Sequence, residues 1–152
     1  LYRSGKVCIS LLNTWKGDQW SSCQTISSVL LTLCTILTNN PLMNEPGVKE
    51  TDIDIKNYNK IITYKNISVG IVDVITKNYF IEKFSDFREI ICDEFRSNYN
   101  EILENIDNNM KYNNELVITA WYSSITKVHK ACLNYQELRR NVVELYNKIA
   151  KN

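Results

Sequence analysis

Gly5–Trp15 reads G-K-V-C-I-S-L-L-N-T-W, Trp20–Leu37 reads W-S-S-C-Q-T-I-S-S-V-L-L-T-L-C-T-I-L, and Asn39–Gly47 reads N-N-P-L-M-N-E-P-G. Lys6–Leu12 is a short, mainly apolar run that suits an extended segment or a tight loop. Asn13–Trp20 is turn-rich and carries two tryptophans, which are expected to pack and pin that loop. Thr25 is placed to cap a helix running from about Ile26 to Thr38, because its hydroxyl can accept an orphan amide of the first turn. Ile26, Val29, Leu30, Leu33 and Leu37 recur at helical spacing, and Leu31, Cys34 and Ile36 widen the stripe. A stripe that wide predicts a helix buried on much of its circumference. Asn39-Asn40-Pro41 stops it, and Asn44–Gly47 forms a second turn.

Beyond this stretch the chain reads as helical. Of its 152 residues only 4 are Gly and 2 are Pro, which leaves little turn chemistry after residue 47. A second helix is expected over about Asp54–Thr76, with Ile55, Tyr58, Ile62, Val69, Val72 and Ile75 inward and Gly70 a weak point. A third is expected over about Ser85–Ile106, with Phe87, Ile90, Ile91, Phe95, Ile102 and Ile106 inward. The last segment, about Glu115–Ala150, carries Trp121, Ile125, Val128, Cys132, Tyr135, Leu138, Val142, Leu145 and Ile149 in nearly heptad steps. That seam packs on its own chain or pairs with another.

Charge and apolar content narrow the function classes. With 18 Lys+Arg against 17 Asp+Glu the net charge is +1, so there is no electrostatic footprint for nucleic acid and no polybasic membrane anchor. Hydrophobic content of 44% with 23% charged residues fits a soluble globular chain. No window offers the roughly 20 uninterrupted apolar residues of a membrane span. The first residues, Leu1–Gly5, lack an initiator Met and lack signal-peptide character, which reads as a fragment of a longer product.

Cysteines stand at 8, 23, 34, 92 and 132, with no C-x-x-C pair, and there is one histidine, His129. A structural zinc site and a disulfide framework are both improbable on that spacing, and a reducing compartment is the simpler expectation. Cys34, Cys92 and Cys132 lie on apolar helical faces and are expected to be buried, while Cys23 suits either a core or a loop surface. A hydrolase triad has no His with an Asp or Asn in order.

Taken together, Gly5, Val7, Cys8, Leu11, Leu12, Trp20, Thr25, Ile26, Val29, Leu30, Leu33, Ile36, Leu37, Pro41 and Pro46 closely resemble, in order, the pattern around the active cysteine of the ubiquitin-conjugating enzymes (E2). The Gly5–Trp15 and Asn44–Gly47 forms, Tyr58 to Ile62, and Phe84–Phe95 (F-S-D-F-R-E-I-I-C-D-E-F) resemble the branch of very large E2 proteins typified by BRUCE/Apollon and by the E2/E3 hybrid enzyme. The strong resemblance covers about 43 residues, a weaker one reaches residue 106, and 107–152 match nothing.

The resemblance implies an α+β UBC-like fold, truncated to its C-terminal half, mainly α-helical with an extended active-site segment at the N-terminus. It implies residues 1–106 as the C-terminal part of a UBC-like core and 107–152 as a helical extension. It also implies that Cys8 takes ubiquitin from the E1 activating enzyme as a thioester and passes it to a substrate lysine or an E3 ligase. A thiolate suits both steps, being a good nucleophile and a good leaving group. Glu45, before Pro46, falls at the family's gate position near the cysteine, with Asn40 or Asn44 as alternatives. Ser21, Ser22 and Cys23 fall in the loop that meets a ligase, although Ser22 replaces the usual Pro. Thr32 and Thr35 fall on the helix face against which donor ubiquitin folds. No cofactor is implied, ATP being used by the E1 enzyme, and the implied location is cytoplasmic, with the nucleus possible. The family's H-P-N asparagine precedes the cysteine by more residues than this sequence holds, so conjugation is expected only as part of a longer chain. The alternative is a non-catalytic E2-like interaction module.

Overall fold

The computed structural model of the chain describes residues 6–77, 84–119 and 130–150. These residues form two compact units. The first comprises 6–59 with 119, and the second comprises 60–77, 84–118 and 130–150. The architecture is mostly helical with one two-stranded antiparallel sheet, compatible with part of a UBC-like α+β fold. No helix among the described residues is long and apolar enough to cross a membrane.

In the first unit the chain runs without regular structure to Ile9 and turns through a 3-10 turn at Ser10–Leu12. Helix α1 spans Ile26–Thr35. Thr25 caps it as expected: its side chain accepts the Ser28 N–H, and the Ser28 hydroxyl accepts the Thr25 N–H in return. The expected burial does not follow. No residue of α1 is buried, and Ile26 and Leu31 are 79% and 68% exposed. The apolar stripe is broad enough for a buried helix, but the described residues of this unit supply little to lay over it. The core of the unit is a small cluster in which Leu42 and Ile55 are buried against Met43, Val48 and Tyr58. A 3-10 turn at Pro41–Asn44 delivers Leu42 to that cluster. The Asn44 amide donates to the Ile36 carbonyl at 2.8 Å, and the Asn59 amide donates to Asn40 Oδ1 at 2.8 Å.

Helix α2, Asp54–Ile67, starts in the first unit and runs into the second. It continues through a π-helical stretch, Ser68–Asp73, into the short α3, Val74–Thr76, so the expected helix over 54–76 is present with Gly70 inside its π-helical turn. Of its expected inner face Ile55, Val72 and Ile75 are buried and Tyr58 and Ile62 half-buried, whereas Val69 is exposed, and Ile61 and Ile67 are buried in addition. The wider π turn changes the phase of the side chains, and Ile61-Ile62 offered two registers of equal apolarity. The third expected helix is broken. A 3-10 turn at Ser85–Phe87 precedes α4, Arg88–Ser97, and Asn98 separates it from α5, Tyr99–Asn108. Cys92, Phe95, Ile102 and Ile106 face the core, while Phe87 and Ile90 are exposed.

The long C-terminal helix expected over 115–150 is replaced in its first part by strands. β1, Glu115–Ile118, pairs antiparallel with β2, Lys130–Leu133, with Leu116 opposite Cys132 and Val117 opposite Ala131. Asn114 adopts a left-handed conformation (φ 64°) and donates its N–H to the Leu133 carbonyl, which starts the ladder. Burial alternates along β1, with Val117 in and Leu116 and Ile118 out. The seam residues Trp121, Ile125 and Val128, and His129, lie outside the described residues. The second half of the seam is helical as expected. Asn134 accepts the Glu137 N–H, and α6, Tyr135–Ile149, buries Tyr135, Leu138, Val142, Leu145 and Ile149. These join Phe95, Ile102, Ile106, Val117 and Leu133 in the core of the second unit. Residues 107–150 therefore hold the end of α5, a 3-10 turn at Met110–Tyr112, a strand pair and α6 among the described residues.

Candidate functional site

Cys8 is half-buried, and Ile9 after it is buried at 6% exposure. The backbone on both sides of Cys8 is held by one side chain. The Thr14 hydroxyl oxygen accepts the Ile9 N–H at 3.0 Å. The Thr14 hydroxyl donates to the Val7 carbonyl at 2.7 Å, with the Ile9 carbonyl also within reach at 3.1 Å. The Thr14 N–H donates to that same Ile9 carbonyl at 3.3 Å. Two atoms of Thr14, its hydroxyl oxygen and its backbone nitrogen, thus hold the Val7 carbonyl and the Ile9 N–H and carbonyl on either side of the thiol.

The loop after Cys8 is closed by small residues and not by its tryptophans. Asn13 takes a left-handed conformation (φ 58°), and its side-chain carbonyl accepts the Trp20 N–H at 3.2 Å. Gly17 has φ 137°, and a Cβ there would meet Ser10 Cβ at 2.9 Å. Glycine is required on both counts. The rings of Trp15 and Trp20 are about half exposed, so the expectation that they pack down and pin the loop is corrected. Thr14 and Gly17 were not singled out from sequence. The available signal was Asn13-Thr14, a pair able to hydrogen-bond its own backbone within a turn.

The remaining candidates occupy separate local structures. Ser21–Gln24 is a turn closed by the Gln24 N–H on the Ser21 carbonyl at 3.0 Å, with Ser21, Ser22 and Cys23 exposed on it. Thr32 and Thr35 lie on α1, and both hydroxyls donate to their own helix, to the Ser28 carbonyl at 2.9 Å and the Thr32 carbonyl at 2.7 Å. Each therefore presents only a lone pair and a methyl outward. Glu45 follows the Pro41–Asn44 turn and is half-buried, with its N–H on the Leu42 carbonyl and its carbonyl accepting from Val48. Asn44 is engaged with the end of α1, and Asn40 with Asn59.

The cysteines sort differently from expectation. Cys92 is buried, but Cys34 and Cys132 are exposed, the first because α1 is uncovered and the second because its strand turns it outward. Among the described residues no group of three or more His, Cys, Asp and Glu side chains could hold a metal ion.

No protein-family model matches the chain. Individual proteins do. The chain is 39% identical over 106 residues to human ubiquitin-conjugating enzyme E2 Z, covering 60% of this chain and 30% of that protein. It is 38% identical over 108 residues to the Danio rerio protein of that name, covering 61% of this chain and 33% of that one. It is 34% identical over 117 residues to the probable ubiquitin-conjugating enzyme E2 23 of Arabidopsis thaliana, covering 73% of this chain and 10% of that one. The chain spans about a third or less of the length of these curated relatives. Over the part it spans, the chain is similar to proteins named as ubiquitin-conjugating enzymes.

Proposed function

We propose that this chain supplies the thiol-bearing part of a ubiquitin-conjugating enzyme, with Cys8 as the acyl carrier. The observation that carries the reading is the 39% identity over 106 residues to proteins of that name. The half-buried position of Cys8, between peptide units tied to Thr14, adds support. The Cys8 thiolate attacks the carrier protein's C-terminal acyl group, held as a thioester on the activating enzyme, and expels that enzyme's thiolate. A lysine amine then attacks the Cys8 thioester. A C–N bond forms, the C–S bond breaks, and the ammonium proton passes to a solvent base.

In this reading Glu45 orients the incoming lysine or sets local polarity. The Ser21–Cys23 turn meets a ligase, and Thr32 and Thr35 meet donor ubiquitin. Ubiquitin, an E1 activating enzyme, and an E3 ligase or substrate are the partners. Reducing surroundings such as the cytoplasm suit an exposed-thiol chain. Placement in the large-E2 branch is part of the same proposal and rests on the Gly5–Trp15 and Asn44–Gly47 forms, with Tyr58 to Ile62 and Phe84–Phe95.

The test is incubation of the longer product that contains this chain with activating enzyme, ATP and ubiquitin. A reductant-sensitive adduct is expected, abolished by Cys8→Ala and kept by Cys23→Ala, Cys34→Ala and Cys132→Ala. Equal charging of Cys8→Ala overturns the assignment of the thiol. The second reading, an E2-like interaction module without chemistry, is favoured by one observation, the uncovered apolar side of α1. It predicts no adduct at any cysteine.

A further inference from the structure

The second unit carries an open apolar groove of about 430 Å³, remote in sequence from Cys8. One wall is Ile67, Ile71 and Ile75, from α2 through the π-helical stretch into α3. The other includes Ile91, Phe95 and Ile102, from α4 and α5. Gly70 stands on the first wall, and a Cβ added there would meet nothing within 4 Å. Wall side chains spaced four residues apart on a helical surface leave a trough of the kind an apolar helix face fills.

The rim has a sign. Glu94, Asn98, Glu101 and Asn105 follow one another along α4 and α5, and no Lys, Arg or His lines the groove among the described residues. The Glu94 carboxylate receives only the Asn98 amide, at 3.3 Å, and no described cation pairs with Glu94 or Glu101. The rim row runs over the 12 residues from Glu94 to Asn105, across the break at Asn98, and reaches at most ~16 Å at a helical rise, the length of about three turns of an occupant. The walls are helices whose backbone groups are used internally, so they offer an extended peptide no edge to pair with.

We propose that this groove docks an amphipathic helix of a partner protein, with Leu or Ile on its buried face and Lys or Arg flanking that face. The isoleucine walls take the apolar side, and Glu94 and Glu101 take the cations. The inference uses none of the residues assigned to acyl transfer, so the two readings fail separately.

The test uses the whole chain and three fluorescein-labelled probes, read by anisotropy. One is a helical peptide with Leu at i, i+3, i+4 and i+7 flanked by Lys. The second carries Glu in place of each Lys, and the third has the leucines scrambled. The Lys peptide is expected to bind at least about tenfold tighter than either other peptide. Gly70→Leu fills the trough and is expected to weaken it by a further tenfold or more. The pair Glu94→Lys and Glu101→Lys, both on exposed positions, is expected to reverse the preference between Lys and Glu peptides. Circular dichroism and unfolding midpoints show that these variants fold. Failure of the Lys peptide to bind, indifference of its affinity to Gly70→Leu in a folded variant, or tighter binding to phosphatidylserine vesicles each overturns the proposal. So does a homodimer that Gly70→Leu dissolves.

Discussion

The Thr14 hydroxyl accepts the Ile9 N–H at 3.0 Å, one peptide unit beyond Cys8, and donates to the Val7 carbonyl at 2.7 Å, one peptide unit before it. One oxygen therefore sets the backbone path through the proposed nucleophile. The bonds lie partly in solvent, so their net worth in stability is modest, about 1 kcal/mol or less. Their worth to the thiol is positional.

Thr14→Val keeps the shape and removes both bonds, whereas Thr14→Ser keeps the oxygen. We expect Thr14→Val to lower the rate of thioester formation at Cys8 several-fold while costing about 1 kcal/mol in urea unfolding. Thr14→Ser should restore most of the rate. A Thr14→Val protein that charges at the parental rate shows the clamp to be idle.

Gly17→Ala meets two obstacles, the φ of 137° and the approach of Ser10 Cβ to 2.9 Å. A residue with a Cβ held in such a region costs about 1–3 kcal/mol. Ser10→Gly removes the contact but not the dihedral. We therefore expect Gly17→Ala to remain destabilising in a Ser10→Gly background, by a smaller amount than alone. Thermal unfolding of the four proteins in that cycle checks this.

These two positions also mark the limit of what the sequence discloses. Thr25 as a cap and the register of Tyr135, Leu138, Val142, Leu145 and Ile149 were legible because capping chemistry and a 3-4 spacing are local signals. The helix over 54–76 was legible in extent but only partly in phase, since the π turn around Gly70 depends on packing. The strand at 115–118 is not legible because spaced apolar residues in 115–134 satisfy a helical seam as well as an alternating strand. Exposure of α1 was not legible, because a wide apolar stripe says that burial is favoured and not that a cover is at hand. Cys8 is singled out by its flanking motif, whereas the bonds of Thr14 to the backbone around it are ones that no motif spells out.

Tyr135 is fully buried, its hydroxyl has no hydrogen-bond partner among the described residues, and the Tyr64 ring meets it edge-on at 5.3 Å. Burial, with Tyr64 and Tyr112 nearby, pushes its pKa up to about 12 from 10.0. The folded state then holds a proton that the unfolded chain releases. The contribution is fully present below pH 10 and is lost as pH rises toward about 12. Unfolding midpoints should fall across that window, and Tyr135→Phe should flatten the fall. At pH 7 Tyr135→Phe should be neutral or stabilising by about 1 kcal/mol, since it removes a buried hydroxyl that makes no bond. A clear loss of stability at pH 7 contradicts this account.

The last expectation separates the two compact units by their energetics. Ile106 is fully buried in the core that α6 completes, so Ile106→Ala should cost about 2–5 kcal/mol and lower the global unfolding midpoint. Thr25→Ala removes the bond from the Ser28 N–H to the Thr25 hydroxyl and leaves the backbone Thr25 N–H on the Ser28 hydroxyl, on α1, a helix with no buried residue. Its cost of about 1 kcal/mol falls on a helix that contributes little to either core, so it should show as faster amide exchange within Ile26–Thr35. The exchange of α6 amides should stay unchanged in Thr25→Ala and accelerate in Ile106→Ala. Equal acceleration of α1 and α6 by Thr25→Ala shows instead that α1 unfolds only with the second unit, and that its apolar side is energetically tied to the rest of the chain.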